Sequence, residues 1–314
     1  MESVNRTEVK EFFLLAFSNF HRLQDLFFFV ILLMFIVSVT GNFAIILLVK
    51  SEPSLHTPMY VFISVFSALE ISFVSVTIPK LLANLIAANR SISFIGCFVQ
   101  LYAFNALGVT ECYLLSVMAV DRDLAINNPL RYEAIMSHAC CLVLSVFPWI
   151  ISFVIALIPT VITAKLEFCG PNEIDHFFCD LAPIQNLACS DPFISNISTS
   201  IAAVFASLTP FIIVITCYSH IIIAIIKIKN IEGKQKAFST CSSHLIVAGL
   251  FFGTVIIVYI RPKGSHYDKF LALVYTAVIP MLNPFIYSLR NQDMKNAIRK
   301  LSILNALFTH RGKR

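Results

Sequence analysis

Residues 26–49 read LFFFVILLMFIVSVTGNFAIILLV, a stretch without a single charged side chain. A helix needs roughly 20 apolar residues to cross the hydrocarbon core of a bilayer. Helices in the core of water-soluble proteins are usually shorter and carry a polar face. The stretch therefore predicts a membrane-spanning helix, and the fold class that follows is an all-α membrane protein.

Six further stretches are long and apolar enough to span: 59–85, 96–120, 141–164, 195–226, 241–260 and 270–289. Short polar segments containing Pro, Gly, Asn and Asp separate them, as is typical of loops. The sequence thus predicts a seven-transmembrane helix bundle over residues 26–289. An amino tail (1–25) precedes it, and a tail with a short amphipathic helix (290–314) follows.

The bulk composition agrees with this fold class. The chain is 58% hydrophobic and 13% charged, with a mean hydropathy of +0.81, whereas soluble domains are about 25% charged. The net charge is only +5, and the basic residues form short clusters between apolar stretches. This pattern argues against nucleic-acid binding.

The distribution of basic residues predicts the orientation. The larger share of the 23 Lys and Arg residues lies in the loops on the side of the carboxyl tail, and cytoplasmic loops carry the excess of positive charge. An odd number of spans puts the termini on opposite sides. We expect a multi-pass plasma-membrane protein with an extracellular amino terminus and a cytoplasmic carboxyl terminus.

The predicted outer side carries two features of secreted surfaces. The sequon at Asn5 lies far enough from the first span to be glycosylated, whereas those at Asn89 and Asn196 lie close to spans. Disulfides persist outside the cell. Four of the nine cysteines fall there, and three pairings of them are open: Cys97, Cys169, Cys179 and Cys189.

Several motifs together resemble olfactory receptors, a family of rhodopsin-like (class A) G-protein-coupled receptors. They cover nearly the whole chain in the family's order. The long loop from Cys169 to Asp191, with His176-Phe177-Phe178-Cys179-Asp180 inside it, resembles the family's second extracellular loop. The other motifs are Asn42, Leu55-His56-Thr57-Pro58-Met59-Tyr60, Met118-Ala119-Val120-Asp121-Arg122, Asn128-Pro129-Leu130-Arg131-Tyr132, Lys236-Ala237-Phe238-Ser239-Thr240-Cys241-Ser242-Ser243-His244-Leu245 and Pro280-Met281-Leu282-Asn283-Pro284-Phe285-Ile286-Tyr287.

The resemblance implies one particular disulfide pattern. Cys97 would pair with Cys179, and Cys169 with Cys189, so that the bridged loop forms a lid over a ligand pocket. Two alternatives stay open at this stage. Some of the thiols could be free, or His176 and Cys179 could bind copper, which conflicts with the disulfide.

Two acidic residues, Glu70 and Glu111, fall inside predicted spans. Charges within a bilayer are costly, so both should face the bundle interior. The resemblance places them near Asn42 and Asn283, where two close carboxylates would share a proton or a sodium ion. We expect such a site to set the balance of resting and active states, with no other cofactor or metal. A hydrogen-bonded network without an ion and a transporter's proton relay are the alternatives.

At the inner end of the third span, Asp121 and Arg122 resemble the acidic–basic pair that this receptor class uses as a switch. The resemblance implies that Arg122 is restrained at rest and released when the sixth helix moves outward. Here Val120 and Asp123 replace the family's tyrosines. We expect Asp123, as a second acid beside Arg122, to lower basal signalling relative to an Asp123→Tyr variant; impaired coupling is the alternative. Further switch residues implied by the resemblance are Tyr218, Tyr287, Asn283 and Pro284.

The resemblance places the ligand pocket in the outer half of the bundle, between the third, fifth, sixth and seventh spans. Helical periodicity selects residues that share a face there. A mostly apolar lining with few hydrogen-bonding groups fits a small volatile or semi-volatile molecule; ordinary helix packing is the alternative for each position. The candidates are Phe104, Asn105, Gly108, Val109, Cys112, Ala202, Ala206, Val255, Ile256, Tyr259 and Thr276.

Two features narrow the ligand class by comparison with related receptors, and a third, at Phe252, is expected to alter the activation switch. Phe104 stands where amine receptors carry an aspartate, so a cationic amine would lack its counter-ion. Residues 270–289 contain no lysine, which excludes a retinal Schiff base. Phe252 replaces the tyrosine of the usual Phe-Tyr-Gly motif of the family.

The predicted inner surface is basic, with Arg131 and Lys227 to Lys236 beside the tail. Residues 293–304 place Met294, Ala297 and Ile298 on an apolar face with Lys and Arg between them. This pattern predicts an amphipathic helix lying on anionic lipid. The basic residues also satisfy the charge rule for cytoplasmic loops, which is a sufficient reason for their presence.

These observations predict an odorant receptor. Its partners would be a small-molecule odorant, membrane lipid and a heterotrimeric stimulatory G protein of the olfactory type that raises cAMP. A transporter using Glu70 and Glu111 is the rival, but the chain shows no inverted repeat. An enzyme is the other rival, but no His-Glu-x-x-His or Gly-x-Ser-x-Gly motif is present.

Overall fold

The computed structural model describes residues 9–17, 22–87, 90–169, 171–260 and 268–300, without the side chains of 236, 239–240, 259–260 and 289–290. Its seven long apolar helices confirm the predicted bundle, and each predicted span lies inside one of them. The helices are α1 (Gln24–Ser51), α2 (Pro58–Ile86), α3 (Phe94–Asn127), α4 (His138–Ala164), α5 (Phe193–Lys227), α6 (Ile231–Ile260) and α7, which runs from Asp268 to Arg290.

Local sequence signals define where these helices begin. Ser93 caps α3 by accepting a hydrogen bond from the Gly96 amide at 3.1 Å, and Ser137 caps α4 in the same way. Pro58 occupies the first turn of α2, where its missing N–H costs nothing. Within the bilayer a helix satisfies its own backbone groups, and this makes helices the stable form of such apolar stretches.

The α3 helix is the axis of the bundle. In its most apolar window 61% of the residues are buried, against 22% in the corresponding windows of α1 and α5. It also continues to Asn127, well past the predicted end at residue 120. Arg122 therefore lies on a helix rather than in a loop.

Two helices contain a π-helical turn, at Val204–Leu208 in α5 and at Val274–Val278 in α7. Each turn widens the helix and breaks the regular ladder of hydrogen bonds, an irregularity that is frequent at functional sites. The hydropathy pattern did not predict either one, because a single inserted residue barely changes the apolar content of a span.

A small three-stranded sheet covers the outer end and was not predicted. Strand β1 (Glu11–Leu14) lies between β2 (Ser91–Ser93) and β3 (Glu173–Ile174), antiparallel to β2 and parallel to β3. The part of the amino tail at residues 9–17 is therefore folded against the two loops that carry β2 and β3, at the end of the bundle that we expect to face outward.

At the inner end, residues 292–300 form a helix after α7. Met294 and Ala297 are buried against the bundle, whereas Ile298 is 46% exposed. Lys300 donates a hydrogen bond to Glu52 at 2.8 Å. The predicted amphipathic helix is thus present as far as residue 300; its expected continuation to 304 lies outside the described residues.

Gly41 allows α1 and α7 to approach closely. A Cβ atom added there would lie 3.1 Å from Cβ of Pro284, a rigid ring that cannot easily move aside. We predict that Gly41→Val lowers the stability of the purified receptor by about 1–3 kcal/mol through overpacking. Thermal unfolding measures this, with Gly249→Val as the control because its Cβ would meet nothing within 4 Å. Equal losses in both variants would contradict the prediction.

Candidate functional site

The predicted lid, the loop from Cys169 to Asp191, is crosslinked within itself and to α3 by two disulfides. The structure contains the disulfides Cys97–Cys179 and Cys169–Cys189, with Cα atoms 5.5 and 5.8 Å apart. Because Cys179 is bonded to Cys97, its thiolate is not available to a copper ion. Among the described residues no group of three His, Cys, Asp or Glu side chains could hold a metal.

Gln100 also attaches the lid to the bundle through hydrogen bonds, and the sequence analysis did not identify it. Its side-chain nitrogen donates to the Val76 carbonyl at 2.9 Å, and its side-chain oxygen accepts from the Cys179 amide at 3.0 Å. The side chain thereby ties the lid to both α2 and α3. A polar residue within an apolar helix was the available signal.

The lid packs on the bundle through aromatic rings. The ring of Phe178 lies 4.4 Å from that of Phe104, which also contacts Phe73 at 5.2 Å and Tyr275 at 6.1 Å between centroids. His176 lies between Phe177 and Phe178, with centroids 4.9 and 4.4 Å away. Phe104 thus sits directly beneath the lid.

The structure brings most candidate ligand residues into the bundle interior. On α3, Phe104 and Cys112 are buried, and Asn105, Gly108 and Val109 are half-buried; on α5, Ala206 is buried and Ala202 half-buried. Val255 packs against the core, and Thr276 is fully buried. Ile256 departs from this set: it lies about 100° further around α6 than Val255 and is 40% exposed. The Tyr259 side chain lies outside the described residues.

Hydrogen-bonding groups at the candidate site are partly engaged by their own helices. Asn105 donates to the Leu101 carbonyl at 2.8 Å, and Thr276 donates to the Ala272 carbonyl at 2.7 Å. Both residues keep acceptor capacity for a ligand's donor group. Ala206 and Thr276 each lie in a π-helical turn, and Tyr113 donates to the Phe205 carbonyl in the first of these at 3.0 Å.

A polar cluster occupies the middle of the bundle. Glu70 and Asn283 are fully buried, and Asn283 donates a hydrogen bond to Glu70. Asn42 donates to the carbonyls of Ser38 at 2.9 Å and Pro280 at 3.2 Å. Glu111 is 2% exposed and interacts electrostatically with Glu70. Asn283 and Glu111 thus both interact with Glu70, whereas Asn42 bonds to backbone carbonyls of α1 and α7.

Several oxygens in this cluster lack a hydrogen-bond partner within the described chain: Glu70 Oε2, Asn283 Oδ1, Ser38 Oγ and Tyr287 OH. Buried polar atoms without partners are rare and point to a group that completes the site. Oxygen donors of this kind suit a hard cation such as sodium, and a proton on either acid would serve as well.

At the inner end, Arg122 is held by its neighbour. Its Nε donates to Asp121 Oδ2 at 2.9 Å, a second guanidinium nitrogen also donates there, and Tyr132 donates to Asp121 Oδ1 at 2.6 Å. Arg122 is 7% and Asp121 1% exposed. A buried pair of this kind is strongly destabilised when one partner is removed.

The prediction that Asp123 also restrains Arg122 is wrong. Asp123 accepts a hydrogen bond from Asn127 at 2.6 Å and lies 3.5 Å from His220 Nδ1 on α5. Asp121 and Asp123 both adjoin Arg122 in sequence, but Asp121 accepts the hydrogen bonds of the guanidinium, whereas the Asp123 carboxylate is engaged by Asn127 and lies beside α5. The argument that two acids clamp Arg122 therefore fails.

The two tyrosines of the predicted switch are engaged elsewhere. Tyr218 lies 2.6 Å from His244 Nδ1, and Tyr287 packs edge-on against Phe66 at 6.1 Å. Arg122 and His244 both line a void too narrow for water, together with Met59, Met118 and Asp121. His244 was noted only as part of a motif, and its place beside the switch emerges from the packing of α6.

The comparisons with known proteins agree with this arrangement. The family model described as "Olfactory receptor" matches residues 31–305. The chain belongs to the olfactory receptor family. It is 43% identical to olfactory receptor 10C1 of Homo sapiens, covering 95% of this chain and 96% of that protein. It is 43% identical to olfactory receptor 1M1 of Mus musculus and 44% identical to olfactory receptor 1G1 of Gorilla gorilla gorilla, each over 96% of this chain and 97% of the relative.

As an olfactory receptor the chain is a multi-pass membrane protein of a non-enzymatic receptor family. The family's members are odorant receptors, and this chain is one by descent. Its lid, polar cluster and restrained arginine are therefore parts of a receptor. The rival assignments to a transporter and to an enzyme have no support in these comparisons.

The buried histidine of the lid, His176, predicts that the stability of this receptor depends on pH. Burial, strengthened by the charge of Lys269, lowers the pKa of His176 to about 4, against the opposing effect of Asp175 and Asp268. Between the ordinary pKa of 6.5 and about 4 the unfolded chain binds more protons than the folded one. Stability therefore falls as the pH falls through this window.

We predict that shifting the purified receptor from about pH 7.5 to about pH 5 costs roughly 2 kcal/mol through His176. His176→Phe keeps a ring in the aromatic stack and removes the titrating group. Thermal unfolding of the two proteins at both pH values measures the effect. An identical loss of stability in His176→Phe would contradict the assignment.

Proposed function

We propose that this olfactory receptor binds a small, mostly apolar odorant beneath the lid and activates a stimulatory olfactory-type G protein, raising cAMP. The observation that carries the proposal is the buried Asp121–Arg122 pair at the opposite end of α3. One rigid helix carries both Phe104 under the lid and Arg122 at the inner surface. A ligand that favours a different packing of α3 with α6 would shift the population of the released arginine.

Features on the inner side support a G-protein partner there. Leu130 is completely exposed, next to Arg131 in the loop after α3. An apolar side chain presented beside basic residues fits a partner with an apolar pocket and an acidic rim. The proposed orientation, with this loop and the carboxyl tail in the cytoplasm, brings the G protein to that surface.

The test is a cAMP reporter assay in cells that co-express the olfactory G protein, challenged with a broad odorant panel. We expect Arg122→Ala to abolish the evoked response at matched surface expression. Lys50→Ala is the control, because it removes an exposed charge at the same end of the bundle. A response that survives Arg122→Ala undiminished would exclude the switch, and ion flux without cAMP would favour a transporter.

We further propose that the cluster around Glu70 and Glu111 holds a sodium ion or a shared proton in the resting state. The unpartnered oxygens of Glu70 and Asn283 support this, since an ion or proton would satisfy them. Either occupant stabilises the packing of α2, α3 and α7 that keeps the receptor inactive. A network without an ion remains the competing description.

The occupant can be identified from stability. If sodium binds, replacing it by choline lowers the thermal stability of the purified receptor, and Glu70→Gln removes this dependence on the salt. If a proton is shared, the stability of a His176→Phe receptor, which lacks the titrating group of the lid, still depends on pH but not on sodium, and Glu111→Gln mimics the protonated state. Stability of the His176→Phe receptor that responds to neither sodium nor pH, with and without the two glutamate variants, would leave only the network.

A further inference from the structure

The amino-terminal segment, residues 9–17, is built into the outer end of the receptor. Its strand β1 is the central strand of the sheet, and Phe12 and Leu14 are 1% and 0% exposed. These two side chains pack in one cluster with the Cys97–Cys179 disulfide. The segment thus buries apolar surface that a free tail would leave in water.

The segment ends in a strained turn that positions a phenylalanine. Ala16 has a φ of 47°, a left-handed conformation that is unfavourable for a residue with a Cβ. It is held there by a hydrogen bond from its amide to the His176 carbonyl at 3.0 Å. The surrounding structure must supply the energy that maintains such a conformation.

The turn directs Phe17 into the junction of three elements. Its ring lies 5.2 Å from Phe27 on α1, 5.9 Å from Phe177 in the lid and 5.4 Å from Phe270 on α7. Phe17 is 2% exposed. A side chain of the amino tail therefore fills the space between the lid and the outer ends of two helices.

Lys269 fastens this turn to α7. Its ammonium group donates to the Ala16 carbonyl at 2.9 Å and to Asp175 Oδ1 at 2.5 Å. The Lys269 side chain is only 15% exposed, whereas that of Asp175 is 72% exposed. The bond to the shielded Ala16 carbonyl should matter more than the ion pair, because solvent screens exposed charges.

We propose that residues 9–17 are a cap that closes the outer mouth of the ligand site, and that Lys269 is its latch. Lys269 is a positioning residue: it joins the amino segment, the lid and α7 at one point. A ligand arriving from water reaches the site when this latch opens. The inference rests on the proposed function for the location of the ligand site and for the outward orientation.

The test measures how fast a charged, membrane-impermeant thiol reagent, applied to intact cells, modifies a cysteine under the cap. The reporter is Asn105→Cys in a Cys112→Ala background, which leaves the remaining free cysteines of the described chain in the inner half of the bundle or at its inner end. An epitope tag at the amino terminus, read on unpermeabilised cells, first establishes the side of the membrane. Mass spectrometry of the surface-purified receptor gives the modification rate.

We expect slow modification in the reporter background and a rate about 10-fold higher after Lys269→Ala, since hydrogen bonds to a charged group are lost. Lys269→Arg should keep the slow rate. Lys10→Ala is the matched control, because it removes an exposed lysine side chain from the same segment. Its rate should equal that of the reporter background.

A charge exchange separates the latch from a simple ion pair. Lys269→Glu with Asp175→Lys rebuilds the pair but leaves the Ala16 carbonyl without its donor, so the fast rate should persist. A slow rate in the double variant, or a rate that Lys269→Ala leaves unchanged, would overturn the proposal, as would a tag on the cytoplasmic side. Failure of the cAMP response in the receptor that retains Asn105 and Cys112, together with the expected labelling rates in the reporter, would instead reject the proposed function and leave the cap in place.

Discussion

The hydrocarbon core of a membrane offers no hydrogen-bond partner, and this constraint governs the interior of the receptor. Hydroxyl groups in the spans bond to carbonyls of their own helix; Thr110 donates to Ala106 at 2.8 Å, and Thr276 donates to Ala272 at 2.7 Å. Few polar contacts cross between helices in the described part of the chain, and several of those that do coincide with the polar cluster or a π-helical turn. Polar chemistry is therefore concentrated where two helices must keep a defined arrangement.

The two ends of the bundle are stabilised by different kinds of interaction. The outer end has two disulfides, a three-stranded sheet and the hydrogen bonds of Gln100. The inner end depends on the Asp121–Arg122 pair and the hydrogen bond from Tyr132. Covalent bonds cannot exchange during signalling, whereas ion pairs and hydrogen bonds can. The asymmetry suits a molecule whose lid stays covalently attached to α3 while its inner surface rearranges.

Sequence patterns predicted the parts of the site that depend on residue type and depth. Glu70 and Glu111 had to face inward because lipid does not tolerate a charge, and the structure buries both. The direction of individual side chains was less predictable. Asp121 and Asp123 both adjoin Arg122 in sequence, but Asp121 bonds to it and Asp123 contacts Asn127 and His220, a choice that depends on the packing of α3 against its neighbours. Ile256 deviates from the predicted face because it lies about 100° around α6 from Val255.

The amino-acid sequence by itself determined the class of protein, the number and approximate positions of the spans and the family, because each depends on composition and motifs over many residues. Only the tertiary structure decided that the amino segment enters a sheet, that Gln100 and Lys269 fasten the lid, and where the π-helical turns lie. These features rest on contacts between residues far apart in the chain; Lys269 and Ala16 meet because α1 and α7 are neighbours in the bundle. Hydropathy is additive along a chain, but such contacts depend on how the helices pack.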